Sequence, residues 1–278
     1  MKLVILIDNN TLIDRYFLGE PGVSYYIETE GKKILFDVGY SDAFIQNARK
    51  LSIDLLDIDF IVLSHGHLDH TWGLIPYLQL ITEGEIEQQT AKMPQLVAHP
   101  LTLSSRKLGD LPEIGSLLSE EKLAGFFDLQ LSAKPVHLTE RLVFLGEIER
   151  TNDFEAKDPI GRILVNGIEK DDFVVDDSAL AYKSPEGLVI ITGCSHSGIC
   201  NIVETAKKVC GDDRVVDIVG GFHLQDPSKE QLEGTIKTMQ ALQPRSVRAC
   251  HCTDLNSKIA LSKVVDLKEV GVGLRLEY

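Results

Sequence analysis

The chain has 278 residues, 44% hydrophobic and 25% charged, which suits one large domain or two small ones and excludes a disordered or fibrous protein. A formal net charge of −14 argues against a general nucleic-acid surface, which needs a basic face. The cysteines Cys194, Cys200, Cys210, Cys250 and Cys252 are odd in number and confined to the C-terminal third, so reduced thiols in a cytoplasm are expected rather than a secreted disulfide framework.

The opening MKLVILIDNN has an apolar run far shorter than the roughly twenty residues of a membrane span and no small-residue cleavage site; it reads as a first strand. GVSYYIETEGKKILFDVG reads as a hairpin turning across TEGKK. SDAFIQNARKLSI has apolar residues at helical spacing and Ser41 as its expected N-cap. IDFIVLS is a nearly all-apolar strand of the kind buried on both faces, and HTWGLIPYLQLI opens the next helix. Between residues 83 and 150, LVAHP and RLVFLGEIE look like strands, and the rest looks like helix and loop that could cap a cleft. Residues 150–172 read as a long acidic loop. Beyond 173, ALAYKSPEGLVIITGC reads as a hairpin, GICNIVETAKKVCG and SKEQLEGTIKTMQAL as helices, and VVDIVGGFHL and RSVRACHCTD as strands running into loops. SKIALSKVVDL and GVGLRLEY close the chain as helix and strand. Two strand-rich halves, each followed by strand–helix alternation, predict an α/β fold of two mixed sheets face to face with helices outside. No linker divides the chain, so residues 1–278 are expected to be one domain.

SHGHLDH, at the end of the IDFIVLS strand, carries the chemistry. His65 and His67 alternate by two and can point to one side, while Asp69 and His70 fall on the turn into the next helix. One short loop can thus give two ligands to each of two metals. Neutral imidazole suits zinc, iron, nickel or manganese. A polar loop with scattered histidines accounts poorly for so dense a cluster.

SHGHLDH matches the H-x-H-x-D-H signature of the metallo-β-lactamase superfamily, and ILFDVG resembles the superfamily's preceding strand. That resemblance implies an αβ/βα four-layer sandwich, with Asp37 supporting the metal loop. IDNN, GVSYYIE, QNARKLSID, LGEIER, ITGCSHSGICNIVE, GGFHL and HCTD resemble a particular branch, the dihydropterin-linked ribofuranosylaminobenzene 5'-phosphate synthase-like proteins. The likeness runs over nearly the whole chain.

The superfamily normally adds a histidine, a bridging aspartate and a last histidine. Cys194 stands where the aspartate would be, after Gly193, with His196 two residues on. Three outcomes are open: His196 completes the first site, Cys194 replaces the aspartate, or the bridge is only water or hydroxide. His196 is taken as a ligand and Cys194 as a further candidate, its alternative being a small buried residue. His251 ends RSVRACH, where the last histidine is placed; Cys252 should point the other way if that strand continues. His223 follows a Gly-Gly loop that admits a substrate and is a candidate proton donor or a structural histidine. Asp176 and Asp177 are candidate ligands, supports of ligands, or a solvated turn. His99 and His137 are expected to be structural or pocket-lining. Asp8 and Asn9 should line the mouth of the site, and Glu147 and Arg150 are candidates for contacting an anionic substrate group.

The expected function is that of a metal-dependent enzyme, hydrolase-type or pterin-linked transferase, acting on a small anionic substrate. The expected cofactor is one or two divalent metals per chain, zinc first, with iron, manganese or nickel as alternatives. Asp69 could orient the nucleophile if one metal is bound. An iron-dependent redox enzyme and a non-catalytic metal-binding protein compete with this reading. Redox members usually carry a carboxylate where His67 stands, and a non-catalytic protein would need a broken ligand set. The expected partner is a small molecule, with no membrane, no general nucleic-acid binding, and room for a homo-oligomer.

Overall fold

The computed structural model describes residues 1–89 and 91–278. Strand β1 (Lys2–Ile7) leads into the hairpin of β2 (Ser24–Thr29) and β3 (Lys32–Phe36). Glu30 and Gly31 make its turn, both at positive φ, the turn whose twist matches two antiparallel strands. Helix α1 (Ala43–Lys50), β4 (Phe60–Val62), the short α2 (Leu68–Thr71) and α3 (Leu74–Ile86) follow. The middle of the chain supplies β5 (Gln95–Ala98), β6 (Arg106–Lys107), α4 (Glu120–Leu123), β7 (Asp128–Leu131), β8 (Val136–His137) and β9 (Leu142–Phe144). Next come β10 (Arg162–Val165), β11 (Ile168–Asp171), β12 (Ala179–Ser184) and β13 (Gly187–Thr192). The chain ends with α5 (Ile199–Cys210), β14 (Val215–Gly221), α6 (Lys229–Leu242), β15 (Ser246–Cys250), α7 (Leu255–Leu261) and β16 (Arg275–Glu277).

The strands form a seven-stranded sheet ordered β16-β1-β2-β3-β4-β5-β7 and a six-stranded sheet ordered β15-β14-β13-β12-β9-β8. Both are mixed: β3, β4, β5 and β7 pair in parallel, as do β13, β14 and β15, while β1–β2–β3 and β12–β13 are antiparallel. Side chains alternate across each strand, so successive apolar residues enter different cores. Leu3 and Ile5 of β1 face the second sheet, packing with Phe144 and Ile191. Val4 and Leu6 face outward onto Phe44 of α1 and Tyr77 of α3. On the far side, Leu188 and Ile190 of β13 pack against Ile202 and Val203 of α5 and Met239 of α6. Three apolar layers thus separate helix, sheet, sheet and helix, which is the expected four-layer sandwich. Among the described residues no helix is long and apolar enough to cross a membrane.

Two stretches differ from expectation. In the segment from 83 to 150, β5 and β9 are the two strands expected, but β7 also extends the first sheet and β8 the edge of the second, so framework strands occupy much of it. The stretch read as a long acidic loop contains the β10–β11 hairpin, which joins β6 in a three-stranded sheet. Its turn is Asn166-Gly167, both at positive φ, an Asn-Gly hairpin signal masked by the acidic composition around it. Helix α1 also begins one residue later than expected, with Asp42 at the cap position and the Ser41 hydroxyl accepting from Ala43 N at 3.1 Å.

The sandwich presents its functional end through buried polar struts as well as apolar packing. Asn47 of α1 donates to the carbonyls of Leu6 and Leu18, both at 2.8 Å, and accepts from Leu18 N at 2.9 Å. These bonds tie the helix to the end of β1 and the loop that follows. Asn47→Ala should lower unfolding free energy by about 2 kcal/mol, because buried backbone groups lose their partners; urea denaturation measures it.

Candidate metal centre

Asp37 follows β3, His65 and His67 follow β4, and Asp69 and His70 lie on α2. Cys194 and His196 follow β13, His223 follows β14, and His251 follows β15. The structure brings all of them to one end of the sandwich, where the parallel strands of both sheets terminate. Most are buried: His65, His70 and Asp37 show no exposed surface, and Cys194, His67 and His196 very little.

Hydrogen bonds fix which ring nitrogens face inward. Ser64 Oγ lies 2.7 Å from Asp37 Oδ2, a carboxylate oxygen that can only accept, so the hydroxyl donates there. The same hydroxyl is then the acceptor for His65 Nδ1–H at 2.9 Å, leaving His65 Nε2 with a lone pair. His70 Nδ1 donates to Asp37 Oδ2 at 2.7 Å, and His251 Nδ1 donates to Asn9 Oδ1 at 2.9 Å, freeing both Nε2 atoms. This orientation of a ring by a partner behind it is the support that metal-binding histidines commonly have.

The inward nitrogens converge. His67 Nδ1 lies 3.1 Å from His65 Nε2 and 3.1 Å from His196 Nε2. With the His65 Nε2 lone pair fixed, His67 Nδ1 can serve that neighbour only as a donor and cannot fully serve His196 Nε2 as well. Protons do not resolve the crowding. Burial, reinforced by the neighbouring rings, holds His65 and His196 well below the ordinary histidine value. Burial with the Arg106 charge brings His67 down to about 3. Three neutral rings aimed at one point fit a cation. His67 Nε2 and His196 Nδ1, on the far sides of those rings, are buried without hydrogen-bond partners among the described residues.

A second group stands beside the first. Asp69 Oδ2 lies 3.4 Å from His251 Nε2 and 3.7 Å from His70 Nε2. Burial opposes charge on His70, but Asp69 and Asp37 outweigh it and lift the ring to about 9. Asp69 is held well below the usual carboxylate range, burial opposing and the His70 and His251 rings prevailing. A proton on His70 here occupies the place a metal charge would take. Asp69, His70, Cys194 and His251 form one group of donors and His65, Cys194 and His196 another, with donor atoms within 4.8 Å of one another in each. The residues present therefore fit two divalent cations.

The remaining candidates fall behind these donors. Asp176, fully buried, accepts from Gly66 N at 2.9 Å and from Arg106 Nη2 at 2.6 Å. Asp177 accepts from Ser197 N at 2.9 Å, bracing the turn that carries His196, and burial pushes its carboxyl up to about 7. Buried Asp8 accepts from His251 N at 3.0 Å and exposed Asn9 holds the His251 ring, so both set His251. Arg150 is spent on the carbonyls of Ala156, Phe173 and Val174 rather than on an open cleft. Glu147 lies 3.4 Å from His99, which is buried, while His137 is exposed on β8. Cys252 does not point away as expected. The strand ends at Cys250 and His251 takes a positive φ, so alternation breaks and Cys252 Sγ meets Cys194 O at 3.2 Å.

His223 stands over His196 with ring centroids 4.2 Å apart. Both rings line a cavity of about 290 Å³ together with Phe154, Lys157, Gln225 and Gln231. His223 Nδ1 is buried with no hydrogen-bond partner among the described residues. Burial opposes its charge, but Cys252, Asp177 and Asp69 raise it above the ordinary histidine value.

Arg106 was not legible in the sequence. It is fully buried, paired with Asp172 at 2.8 Å and Asp176 at 2.6 Å, and it crosses the middle of the H-x-H motif. A Cβ at Gly66 would come within 1.9 Å of Arg106 Nη1 and 2.2 Å of Thr102 O, so the position between His65 and His67 has room only for glycine.

The model of the metallo-beta-lactamase superfamily matches residues 18–193. The chain belongs to that superfamily. It is 33% identical over 274 residues, 93% of this chain and 89% of the relative, to the 7,8-dihydropterin-6-methyl-4-(beta-D-ribofuranosyl)-aminobenzene-5'-phosphate synthase of Methanocaldococcus jannaschii. Among solved structures, Tm1679, described as a metal-dependent hydrolase of the beta-lactamase superfamily, superposes with a TM-score of 0.83 at 27% identity, covering 100% of this chain and 99% of that one. Zinc-bound PqqB from Methylobacterium extorquens shares the fold at a TM-score of 0.58 and 12% identity, with both chains fully covered.

Arg106→Met should destabilise the metal-free protein by about 3–5 kcal/mol, since it strands two buried carboxylates. Asp176→Asn should cost less, because the amide oxygen still accepts from Gly66 N. Urea unfolding of both variants checks the order.

Proposed function

We propose that this chain is a metal-dependent enzyme acting on a small anionic substrate, with two divalent ions, zinc first, as the resident cofactor. The observation carrying this reading is the pair of adjoining donor groups in which Ser64, Asp37 and Asn9 turn the Nε2 atoms of His65, His70 and His251 inward. His65, His67 and His196 would hold one ion, and Asp69, His70 and His251 the other. When bound, such ions polarise substrate oxygens and bring the pKa of a water toward neutrality.

The chain's own groups then have distinct tasks. Asp37, Ser64 and Asn9 hold the rings so that no reorientation is needed during reaction. His223, on the cavity wall beside His196, delivers or accepts a proton at Nδ1. Asp69 would orient the nucleophile if only one ion is bound. The cavity would seat the substrate against these groups, with Lys157 available to its anionic part.

Hydrolysis of an ester, phosphoester, lactone or amide fits this arrangement, and the likeness to Tm1679 supports it. A second reading is pterin-linked transfer: carbon–carbon bond formation between a dihydropterin methyl precursor and an aminobenzene ribose phosphate. The 33% identity to the archaeal synthase over nearly the whole chain supports that reading.

Protein purified without added metal should contain two ions per chain by elemental analysis. His196→Ala and His251→Ala should each lower that content, and unchanged content in both would discard the ligand assignment. Removal of the metal by chelation should lower thermal stability, because an ion bound only by the folded state adds to it. A panel of phosphodiesters, lactones and pterin precursors separates hydrolysis from transfer. If fully loaded enzyme turns over none of them, a binding role replaces both.

A further inference from the structure

Cys194 is the one residue common to both donor groups. Its Sγ lies 3.0 Å from His251 Nε2 and 3.2 Å from His70 Nε2. Those two rings use their Nδ1 protons elsewhere, on Asn9 and Asp37, so each, when neutral, turns an Nε2 lone pair to the sulfur. A thiol has one proton and can satisfy only one of them. The sulfur also lies within 4.8 Å of ring nitrogens of His65 and His196. Backbone packing holds it there: a Cβ at Gly193 would lie 2.2 Å from Ser64 Oγ and 2.9 Å from Asp37 Oδ2, so the turn before Cys194 is pressed against the Asp37 network.

A second sulfur lies close but is otherwise engaged. Cys252 Sγ donates to Cys194 O and accepts from His223 N, each at 3.2 Å, and it belongs to neither donor group.

We infer that Cys194, as a thiolate, is a ligand shared by both metal ions, and that the pair of sites therefore selects ions that accept sulfur. This deepens the metal-dependent reading above and rests on it. Binding releases the thiol proton to solvent, and the thiolate, lying between the two histidine groups, then offers separate lone pairs to two cations. Thiolate favours zinc, cobalt and ferrous iron over manganese, magnesium and calcium, which are better served by oxygen. A carboxylate at this position would leave the centre much less selective.

Cobalt(II) titration of the metal-free, full-length protein tests this without reference to activity. The wild type should develop a near-ultraviolet thiolate-to-cobalt charge-transfer band that grows through both equivalents. Cys194→Ala should abolish the band, and Cys252→Ala should retain it. Cys194→Asp should lose the band, still bind two ions, and take up manganese more readily than the wild type, which also shows that the site remains folded. Two bound cobalt ions without the band would overturn the inference, as would a band that follows Cys252. A band complete at the first equivalent would remove the sharing. Failure of the wild type to bind cobalt or zinc at all would instead remove the metal-dependent reading, and the inference with it.

Discussion

The Asp37 carboxylate organises the functional end of this protein. It is fully buried and accepts three hydrogen bonds: from Ser64 N at 2.7 Å, Ser64 Oγ at 2.7 Å and His70 Nδ1 at 2.7 Å. Through Ser64 it sets the proton on His65; directly, it sets the proton on His70. One donor in each metal group therefore takes its orientation from a single side chain at the end of β3. Hydrogen bonds to a charged acceptor are short and strong, and here they hold the motif loop before any ligand arrives.

The backbone around the site is shaped to the same end. Asp37, Ser195, His223 and His251 all have φ between 49° and 63°, a left-handed conformation that costs a non-glycine residue about 1–3 kcal/mol. Each lies just beyond a strand, where the chain would otherwise continue the strand's alternation. The left-handed turn re-aims the side chain, or the one after it, back over the end of the sandwich. Sheet packing and the buried struts of Asn47 and Arg106 supply the stability against which this strain is held.

Much of this was legible in the sequence because it is local. SHGHLDH, the Glu-Gly hairpin and the strand–helix alternation depend on neighbours in the chain, and the structure bears out the sandwich they predicted. Contacts across the fold were not legible. Arg106 lies 66 and 70 residues from its two carboxylates, and nothing in SSRK distinguishes it from a solvated arginine. Cys252 was misplaced because period-two alternation was carried one residue past the end of β15. Asp8 and Asn9 lie at the site's end of β1, but sequence does not say that their side chains bond His251 across 242 and 243 residues of chain. The acidic composition of residues 150–172 hid an Asn-Gly turn between β10 and β11.

Each donor group draws from both sheets. His65, His67, Asp69 and His70 come from the end of the first, and Cys194, His196 and His251 from the end of the second. The His67–His196 contact alone spans 129 residues of chain, a closure whose entropy is met by the inter-sheet core rather than by the ligands. A metal seated here would act as a rivet between the two halves of the sandwich. The unfolded chain offers no such site beyond the HGHLDH stretch, so loading of an ion would follow assembly of both sheets.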